Sequence, residues 1–387
     1  MRMALALALV FVWGCRPATT EPEKPSPRVD SGVSDATGTT DTPRPTDSSD
    51  SAEDTDSADT AAPVDTAGPG VCGPSNWSSA DYTMDRGGIE RQFRVHVPAS
   101  YDPAVPAPLI LAFHGWGGNA SEFLGSSAVT DEADARGYVV VAPVGLGSGN
   151  PDRSWNSWSF RGSTTGIGGD GQAICDDAAT TDYAYDSCDG IADNGCSWTH
   201  CQDDDVDFVR ELVALTSENL CIDPERVFAV GGSNGGMFSW ELGQNEATAG
   251  LFRAIAPLIG LPHRAYLDPP ATDGGMPVMV ITGMSDRTVP PGDWEDPSPT
   301  TTTDGDVYYY TGATGIVRSW SEAAGCAVAS PAAVADVGVS EVECRSYCPH
   351  DETWSAVLDC RADMGHSYQL RWAWPLIMDF FDQQSGG

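Results

Sequence analysis

The segment Gly231-Gly-Ser-Asn-Gly235 constrains the fold of this chain more than any other, because an apolar run precedes it and a helix-forming run follows it. Residues 226–230 predict a short buried strand, and residues 237–244 predict a helix. A G-x-S-x-G pattern at such a turn is typical of a nucleophile elbow, which is so tight that glycine is needed two residues before and after the serine. The sequence therefore predicts that Ser233 is exposed on a strained backbone, with a helix N-terminus behind it.

Apolar strands alternate with amphipathic helices along most of the chain. Strands are predicted at 109–113, 138–142, 226–230, 252–258, 276–282 and 354–360, and helices at 121–136, 205–219, 237–244, 315–324 and 372–384. A hairpin is predicted at 82–98, with its turn at 85–88. This alternation predicts an α/β fold, a mostly parallel sheet with helices on both faces and antiparallel strands at one edge.

The first 71 residues differ in composition from the rest. Residues 1–14 hold one early cation, Arg2, and an apolar run too short to span a bilayer, which predicts a signal peptide. Gly14-Cys15 resembles a bacterial lipobox, so Cys15 is a candidate lipidation site, with simple secretion as the alternative. Residues 15–71 are rich in Asp, Thr, Ser and Pro, which predicts a disordered acidic tether. Residues 72–387 are then the folded domain, of an exported cell-envelope or extracellular protein.

Charge and cysteine content limit the partners of this domain. The formal net charge is −36, which disfavours nucleic acid and anionic membrane surfaces, so the membrane is expected as a partner only through the lipid. Of eleven cysteines, ten remain when Cys15 is set aside. An even number behind an export signal favours disulfides over metal ligation, although the pairing cannot be read from spacing. Residues 145–204 contain four of them, lack periodicity, and predict a disulfide-rich insertion that forms one wall of a cleft.

A serine hydroxyl needs a base, and the base needs an orienting carboxylate. In elbow-type enzymes the chain order is serine, acid, histidine, which leaves His263, His350 and His366. His366 is favoured because it follows the last predicted strand, whereas His350 precedes it. Asp286 is favoured as the acid because it lies in the turn after strand 276–282. A surface-turn aspartate is the alternative interpretation of Asp286.

Negative charge that develops on a carbonyl oxygen requires backbone N–H donors. One is expected from Asn234, which follows Ser233. The other is expected from Trp116 in the glycine-rich turn His114-Gly-Trp-Gly-Gly118, after the strand 109–113. The alternative is that this glycine-rich strand end is only a loop.

Several segments together resemble the secreted polyhydroxybutyrate-depolymerase/feruloyl-esterase family of α/β-hydrolases. They are His114-Gly-Trp-Gly-Gly118, Cys221-Ile-Asp-Pro-Glu-Arg226, Gly231-Gly-Ser-Asn-Gly-Gly-Met237, Met284-Ser-Asp286, Gly365-His366, Asp203-Asp-Asp-Val-Asp-Phe-Val209 and Trp155-Asn156. The resemblance implies an α/β-hydrolase fold and carboxylic-ester hydrolysis through an acyl-enzyme, with Ser233, Asp286 and His366 as a triad. In place of the family's Trp-Pro-Gly turn after Gly-His, this chain has Ser367-Tyr368.

The expected function is a serine esterase that acts on polymeric or polymer-linked esters, of the polyhydroxyalkanoate, feruloyl or acetyl-xylan type, without a cofactor or metal. Trp155, Trp158 and Tyr368 are candidate substrate contacts, and Trp116 and Trp198 could extend an aromatic surface, with ordinary packing as the alternative. Residues 186–195 have oxygens at calcium-loop intervals, but the distal glutamate is missing, which favours an acidic disulfide-bonded loop. A peptidase or amidase on the same scaffold and a non-catalytic polymer binder remain as alternatives.

Overall fold

The computed structural model of the protein describes Cys72 and residues 75–148, 155–176, 183, 185–191, 194–305, 307–326, 331–334, 338–348 and 356–385. The predicted signal peptide, Cys15 and the predicted tether 15–71 lie outside the described residues, as does His350. No helix of the described part of the chain is long and apolar enough to cross a membrane.

Strands and helices alternate through the domain. The strands are β1 (Ala80–Arg86), β2 (Ile89–His96), β3 (Ala107–Phe113), β4 (Val139–Pro143), β5 (Ile222–Gly232), β6 (Ala254–Leu258), β7 (Val278–Gly283), β8 (Thr300–Thr301), β9 (Tyr309–Tyr310), β10 (Ala332–Ala333), β11 (Val342–Ser346) and β12 (Val357–Ala362). The helices are α1 (Ser121–Leu124), α2 (Ser127–Arg136), α3 (Asp205–Asn219), α4 (Asn234–Gln244), α5 (Ala313–Ala323) and α6 (Ala373–Gln384).

Ten strands form one sheet in the order β1-β2-β4-β3-β5-β6-β7-β12-β11-β10. The six strands from β4 to β12 in this order run parallel, and strands at both edges run antiparallel. The predicted α/β architecture is therefore confirmed. The carboxyl ends of β3, β5, β7 and β12 lie at one edge of the sheet, where ligand sites of parallel sheets form.

Two hydrophobic cores cover the two faces of the sheet. Along β3, Leu109 and Leu111 pack into one core, with α3, α4 and α5, while Ile110 and Ala112 pack into the other, with α2 and α6. Successive side chains of a strand point to opposite faces, so a central strand that is covered on both faces must be apolar throughout. This explains the unbroken apolar runs that predicted the strands.

Two features of the sheet differ from the sequence-based expectation. The helix predicted at 121–136 is two helices, α1 and α2, separated at Gly125 and Ser126, where the Ser126 side chain caps α2. The antiparallel pair β10–β11 at the far edge was not predicted. In β11, which lies next to the edge strand β10, exposed Glu343 and half-buried Arg345 alternate with buried residues, so this strand has no continuous apolar run.

The ten cysteines other than Cys15 are all paired. The disulfides are Cys72–Cys221, Cys175–Cys196, Cys188–Cys201, Cys326–Cys348 and Cys344–Cys360. The predicted use of the cysteines in disulfides is thus confirmed. Two of the bridges lie within the predicted insertion 145–204 and hold it together.

Candidate active site

Ser233 occupies the turn between β5 and α4 with φ 54° and ψ −116°, a left-handed conformation that is rare for any residue except glycine. Two glycines make this turn possible. A Cβ atom on Gly235 would lie 2.1 Å from the backbone oxygen of Phe113, and one on Gly231 would lie 2.1 Å from the oxygen of Gly235. The local sequence therefore folds as a tight elbow that presents the Ser233 side chain above the sheet edge.

Three side chains from separate loops form one chain of hydrogen bonds. Ser233 Oγ lies 2.8 Å from His366 Nε2, and His366 Nδ1 lies 2.8 Å from Asp286 Oδ2. Because an ionised carboxylate only accepts, a neutral His366 carries its proton on Nδ1, and Nε2 accepts from the serine hydroxyl. This is the arrangement in which an imidazole can remove the proton of a serine.

The sheet explains why these side chains meet. Asp286 follows the end of β7, and His366 follows the end of β12, which pairs with β7 in parallel. The Asp286 side chain is buried, and its Oδ1 accepts from the N–H groups of Thr288 and Val289, each at 2.9 Å. These bonds fix the carboxylate and leave Oδ2 for the imidazole.

Two backbone N–H groups lie beside the elbow. Asn234 is the first residue of α4, so its N–H has no acceptor within the helix. In the turn after β3, the backbone N–H groups of three glycines already have acceptors. The Gly115 N–H donates to Tyr368 Oη at 2.8 Å. The Gly117 N–H donates to Asn156 O at 2.7 Å, and the Gly118 N–H donates to Gly115 O at 3.0 Å. No residue of the described segments accepts a hydrogen bond from the Trp116 N–H, so this is the donor that the turn leaves available.

The Trp116 side chain connects the turn after β3 to the insertion 145–204 through hydrogen bonds and a ring contact. Its indole N–H donates to Tyr185 Oη at 2.8 Å and lies 3.2 Å from the Trp198 carbonyl. Tyr185 in turn donates to the Trp155 carbonyl at 2.8 Å, and the rings of Trp116 and Trp155 are 4.3 Å apart. The insertion therefore holds the turn that carries the Trp116 N–H.

His114 supports the same turn from the interior. It is fully buried, its Nδ1 donates to Gly115 O at 2.6 Å, and its Nε2 accepts from the Gly145 N–H at 3.0 Å. Burial lowers the pKa of His114 to about 4, against the opposing effect of the bond to Gly115 O. His114 is therefore neutral at neutral pH, so that one ring nitrogen donates a hydrogen bond and the other accepts one.

A cavity of about 330 Å³ opens beside the serine and the imidazole. Its wall is mainly aromatic and apolar, and it includes Trp116, Trp198, Met237, Val289, Tyr308 and Tyr310. Asp304 contributes a carboxylate at the cavity, where Thr288 donates to it at 2.6 Å. A cavity of this size and lining can hold a small organic group against Ser233.

The structure brings some of the predicted contact residues to this cavity. Tyr368 lines it, whereas Trp155 and Trp158 are not among its lining residues. Trp158 is fully buried and stacks on Phe238, so the predicted substrate contact of Trp158 does not fit its place in the core. The reason is that Trp158 belongs to the part of the insertion that packs under the elbow.

Sequence reasoning did not single out the tyrosines that line the cavity. Tyr308 and Tyr310 belong to the segment that forms β9, and an isolated bridge joins Tyr310 to buried His263. The run of three tyrosines at 308–310 was the available signal, but nothing in its spacing placed it near Ser233.

No group of three or more His, Cys, Asp or Glu side chains in the described residues could hold a metal ion. The segment predicted as an acidic loop, 186–195, begins with one turn of 3-10 helix at Asp186–Cys188, and residues 192 and 193 lie outside the described residues. The amide of Asn194 bonds to Gly166 O and to the Cys196 N–H.

No protein-family profile matches the chain. The chain is 28% identical over 205 residues to NocK of Nocardia uniformis subsp. tsuyamanensis, whose assignment as an esterase is itself provisional, with 51% of this chain and 46% of that protein covered. It is 25% identical over 175 residues to feruloyl esterase C of Emericella nidulans, with 44% of this chain and 46% of that protein covered.

An acetyl xylan esterase from Aspergillus awamori matches in structure with a TM-score of 0.50 and 13% identity, over 78% of this chain and 99% of that one. The α/β-hydrolase fold is thereby established, and the predicted resemblance to feruloyl-esterase-like proteins is confirmed. The chain spans about half the length of the curated relatives it matches.

Proposed function

We propose that this α/β-hydrolase, similar in sequence to esterases, is a serine carboxylic-ester hydrolase that works through an acyl-enzyme. The observation that carries the proposal is the chain of two 2.8 Å hydrogen bonds from Ser233 Oγ through His366 to Asp286. The esterase names of the sequence relatives agree with it.

In the first half-reaction, His366 Nε2 takes the proton of Ser233 while Oγ attacks the ester carbonyl carbon. The carbonyl oxygen becomes an oxyanion, which the N–H groups of Asn234 and Trp116 stabilise. Collapse of the tetrahedral intermediate breaks the bond to the alkoxy oxygen, which receives the proton from His366. The alcohol leaves, and the acyl group remains on Ser233.

In the second half-reaction, water replaces the alcohol. His366 takes a proton from the water as the water oxygen attacks the acyl carbon. The bond between this carbon and Ser233 Oγ then breaks, the carboxylic acid leaves, and the proton from His366 restores the Ser233 hydroxyl. Asp286 holds the imidazole in one tautomer and stabilises its positive charge in both steps. Each oxyanion donor contributes on the order of 3 kcal/mol to the stability of the transition state.

The substrate proposal is an ester that is polymeric or linked to a polymer, of the polyhydroxyalkanoate, feruloyl or acetyl-xylan type. Its support is the mainly apolar and aromatic cavity beside Ser233, together with the feruloyl and acetyl xylan ester names of two similar proteins. The proposal includes export, lipidation at Cys15 and a surface tether. The five disulfides fit an exported protein.

The test is turnover of short p-nitrophenyl esters by the wild-type protein and by Ser233→Ala. The matched control is Ser217→Ala on the exposed face of α3, where the hydroxyl donates to the Val213 carbonyl within the helix. The proposal predicts a loss of at least about a thousandfold in kcat for Ser233→Ala and no change for the control. Undiminished turnover by Ser233→Ala would end the proposal, and matched anilide substrates would distinguish an esterase from an amidase.

A further inference from the structure

The hydroxyl of Tyr368 joins two elements of the site that are far apart in sequence. It accepts a hydrogen bond from the Gly115 N–H at 2.8 Å and donates to the carboxylate of Glu122. The Gly115 N–H also lies 3.3 Å from the same carboxylate oxygen. Tyr368 follows His366 by two residues, so it connects the loop of the imidazole to the turn after β3.

Gly115 lies between two peptide units: its N–H, which is bonded to Tyr368, belongs to the first, and its carbonyl belongs to the second, which carries the Trp116 N–H. The carbonyl of that unit, Gly115 O, accepts from His114 Nδ1 at 2.6 Å. In a planar trans peptide the C=O and N–H point in opposite directions, so holding the carbonyl sets the direction of the Trp116 N–H. The Tyr368 hydroxyl holds the other side of Gly115, and together the two bonds fix the residue before the proposed oxyanion donor.

The ring of Tyr368 also rests on the elbow. A Cβ atom on Gly232 would lie 2.2 Å from the ring, and one on Gly115 would lie 2.4 Å from the hydroxyl oxygen. Both positions therefore need glycine for the tyrosine to lie where it does. Tyr368 thus touches the residue before Ser233 and the residue before Trp116 at the same time.

The partners of the hydroxyl keep it protonated. Tyr368 is half-buried, and burial, together with the hydrogen bond to Glu122 and the negative charge of that side chain, raises the pKa of the phenol well above its usual value. The hydroxyl has one proton, which goes to Glu122, and its lone pair accepts from Gly115. An ester oxygen, which can only accept a hydrogen bond, would have to displace Glu122 to bind the proton of this hydroxyl.

We infer that Tyr368 is a positioning residue, which holds Gly115, the residue before the proposed Trp116 donor, relative to Ser233 through its bonds to the Gly115 N–H and to Glu122. This inference deepens the proposed function and rests on it. It also gives Tyr368 a different role from the substrate contact that the sequence suggested. A positioning residue of this kind affects the transition state, in which the oxyanion exists, more than the binding of the ground-state ester.

The test is the steady-state kinetics of Tyr368→Phe, which removes the hydroxyl and keeps the ring. We expect kcat to fall about tenfold and KM to stay within about twofold, because a small displacement of a donor weakens only transition-state binding. The matched control is Tyr138→Phe, the same change at a buried tyrosine whose hydroxyl donates to the Asp382 carboxylate at 2.7 Å, away from the cavity. Its kcat should equal that of the wild type.

Two variants of Glu122 provide an independent readout. Glu122→Gln keeps an oxygen that accepts from Tyr368, so most of kcat should be retained, whereas Glu122→Ala should behave like Tyr368→Phe. If Tyr368→Phe does not fold, as judged by circular dichroism, the contrast between these two variants decides the question.

An increase in KM at constant kcat in Tyr368→Phe would overturn the inference and restore the substrate-contact role. Unchanged kcat and KM would overturn it as well. Both results differ from failure of the proposed function, which would appear as wild-type turnover that does not depend on Ser233.

Discussion

Asn234 and Trp158 are joined by a pair of hydrogen bonds, from the Trp158 N–H to Asn234 Oδ1 at 2.7 Å and from Asn234 Nδ2 to the Trp158 carbonyl at 3.0 Å. Both residues are fully buried. The residue after Ser233 therefore has two functions in the fold. Its backbone N–H is a proposed oxyanion donor, and its side chain holds the insertion beneath the elbow.

Asn234→Ala should destabilise the protein while leaving the backbone N–H in place. The change leaves the N–H and C=O of buried Trp158 without partners, which costs about 3 kcal/mol in the free energy of unfolding. The measurement is urea denaturation, with Asn219→Ala as the control because the Asn219 side chain donates to Leu215 O within its own helix, α3. Equal stability of the two variants would contradict this role of Asn234.

Gly235→Ala should prevent the elbow from closing. The new methyl group would lie 2.1 Å from the backbone oxygen of Phe113, a rigid strand atom that cannot move aside without loss of pairing. We expect a loss of at least about 2 kcal/mol in stability and of nearly all turnover. Gly250→Ala is the control, since no atom lies within 4 Å of its Cβ position and its φ is not positive. A Gly235→Ala protein with normal turnover would show that the elbow is looser than described.

The stability of the protein should fall between pH 7 and pH 5 because of buried histidines. Burial lowers the pKa of His263 to about 3, against a weaker effect of its bond to Tyr309 O, and lowers that of His114 to about 4. The pKa of a histidine in the unfolded chain is about 6.5. At a pH between this value and the lowered pKa values, the unfolded chain binds more protons than the folded chain, so the free energy of unfolding decreases as the pH decreases. Each histidine contributes about 2 kcal/mol of this loss from pH 6.5 to pH 5.

His263→Phe isolates one of these contributions. Phenylalanine keeps the stacking against Phe160 and Tyr310 but cannot titrate. Urea denaturation at pH 7, 6 and 5 gives the free energy of unfolding as a function of pH. Its slope should be about half that of the wild type, whatever the change in absolute stability. An unchanged slope would mean that His263 does not titrate differently in the folded and unfolded states.

Removal of the Cys188–Cys201 disulfide should affect both stability and turnover. The bridge closes a loop of 13 residues beside Tyr185, whose carbonyl accepts from the Cys188 N–H at 2.8 Å. Because Tyr185 binds the Trp116 indole, a double Cys→Ser variant should lose about 3 kcal/mol in stability and several-fold in kcat.

The control for that variant is removal of Cys326–Cys348, a disulfide that closes a loop of 22 residues elsewhere in the fold. It should lower stability by a similar amount without a change in kcat for the folded protein. Equal effects on kcat in the two variants would contradict a specific connection between the insertion and Trp116.

The sequence was sufficient for the parts of the fold that depend on local patterns. The apolar strands, the elbow and the positions of Asp286 and His366 after strands followed from periodicity and chain order, and these three side chains do lie within hydrogen-bond distance. What could not be predicted depends on long-range packing. Trp158 lies in an irregular segment, and its bonds to Asn234 and its stacking on Phe238, residues far away in the sequence, place it in the core.

Long-range packing also determines which residues line the cavity and which strands pair at the edge of the sheet. Tyr310 lines the cavity because β9 is held against the segment of His263, a contact between residues 47 positions apart that no spacing rule gives. Likewise, β11 is recognisable as a strand only by its pairing with β12, since its charged residues interrupt the apolar pattern.

The most direct test of Ser233 as the nucleophile is the mass of the protein after reaction with a fluorophosphonate, which modifies only an activated serine. We expect one adduct per chain, located on Ser233 by peptide mapping, and none in Ser233→Ala or after denaturation. An adduct on another serine, or an unmodified wild-type protein that still hydrolyses esters, would contradict the central role of the hydrogen-bond chain from Ser233 to Asp286.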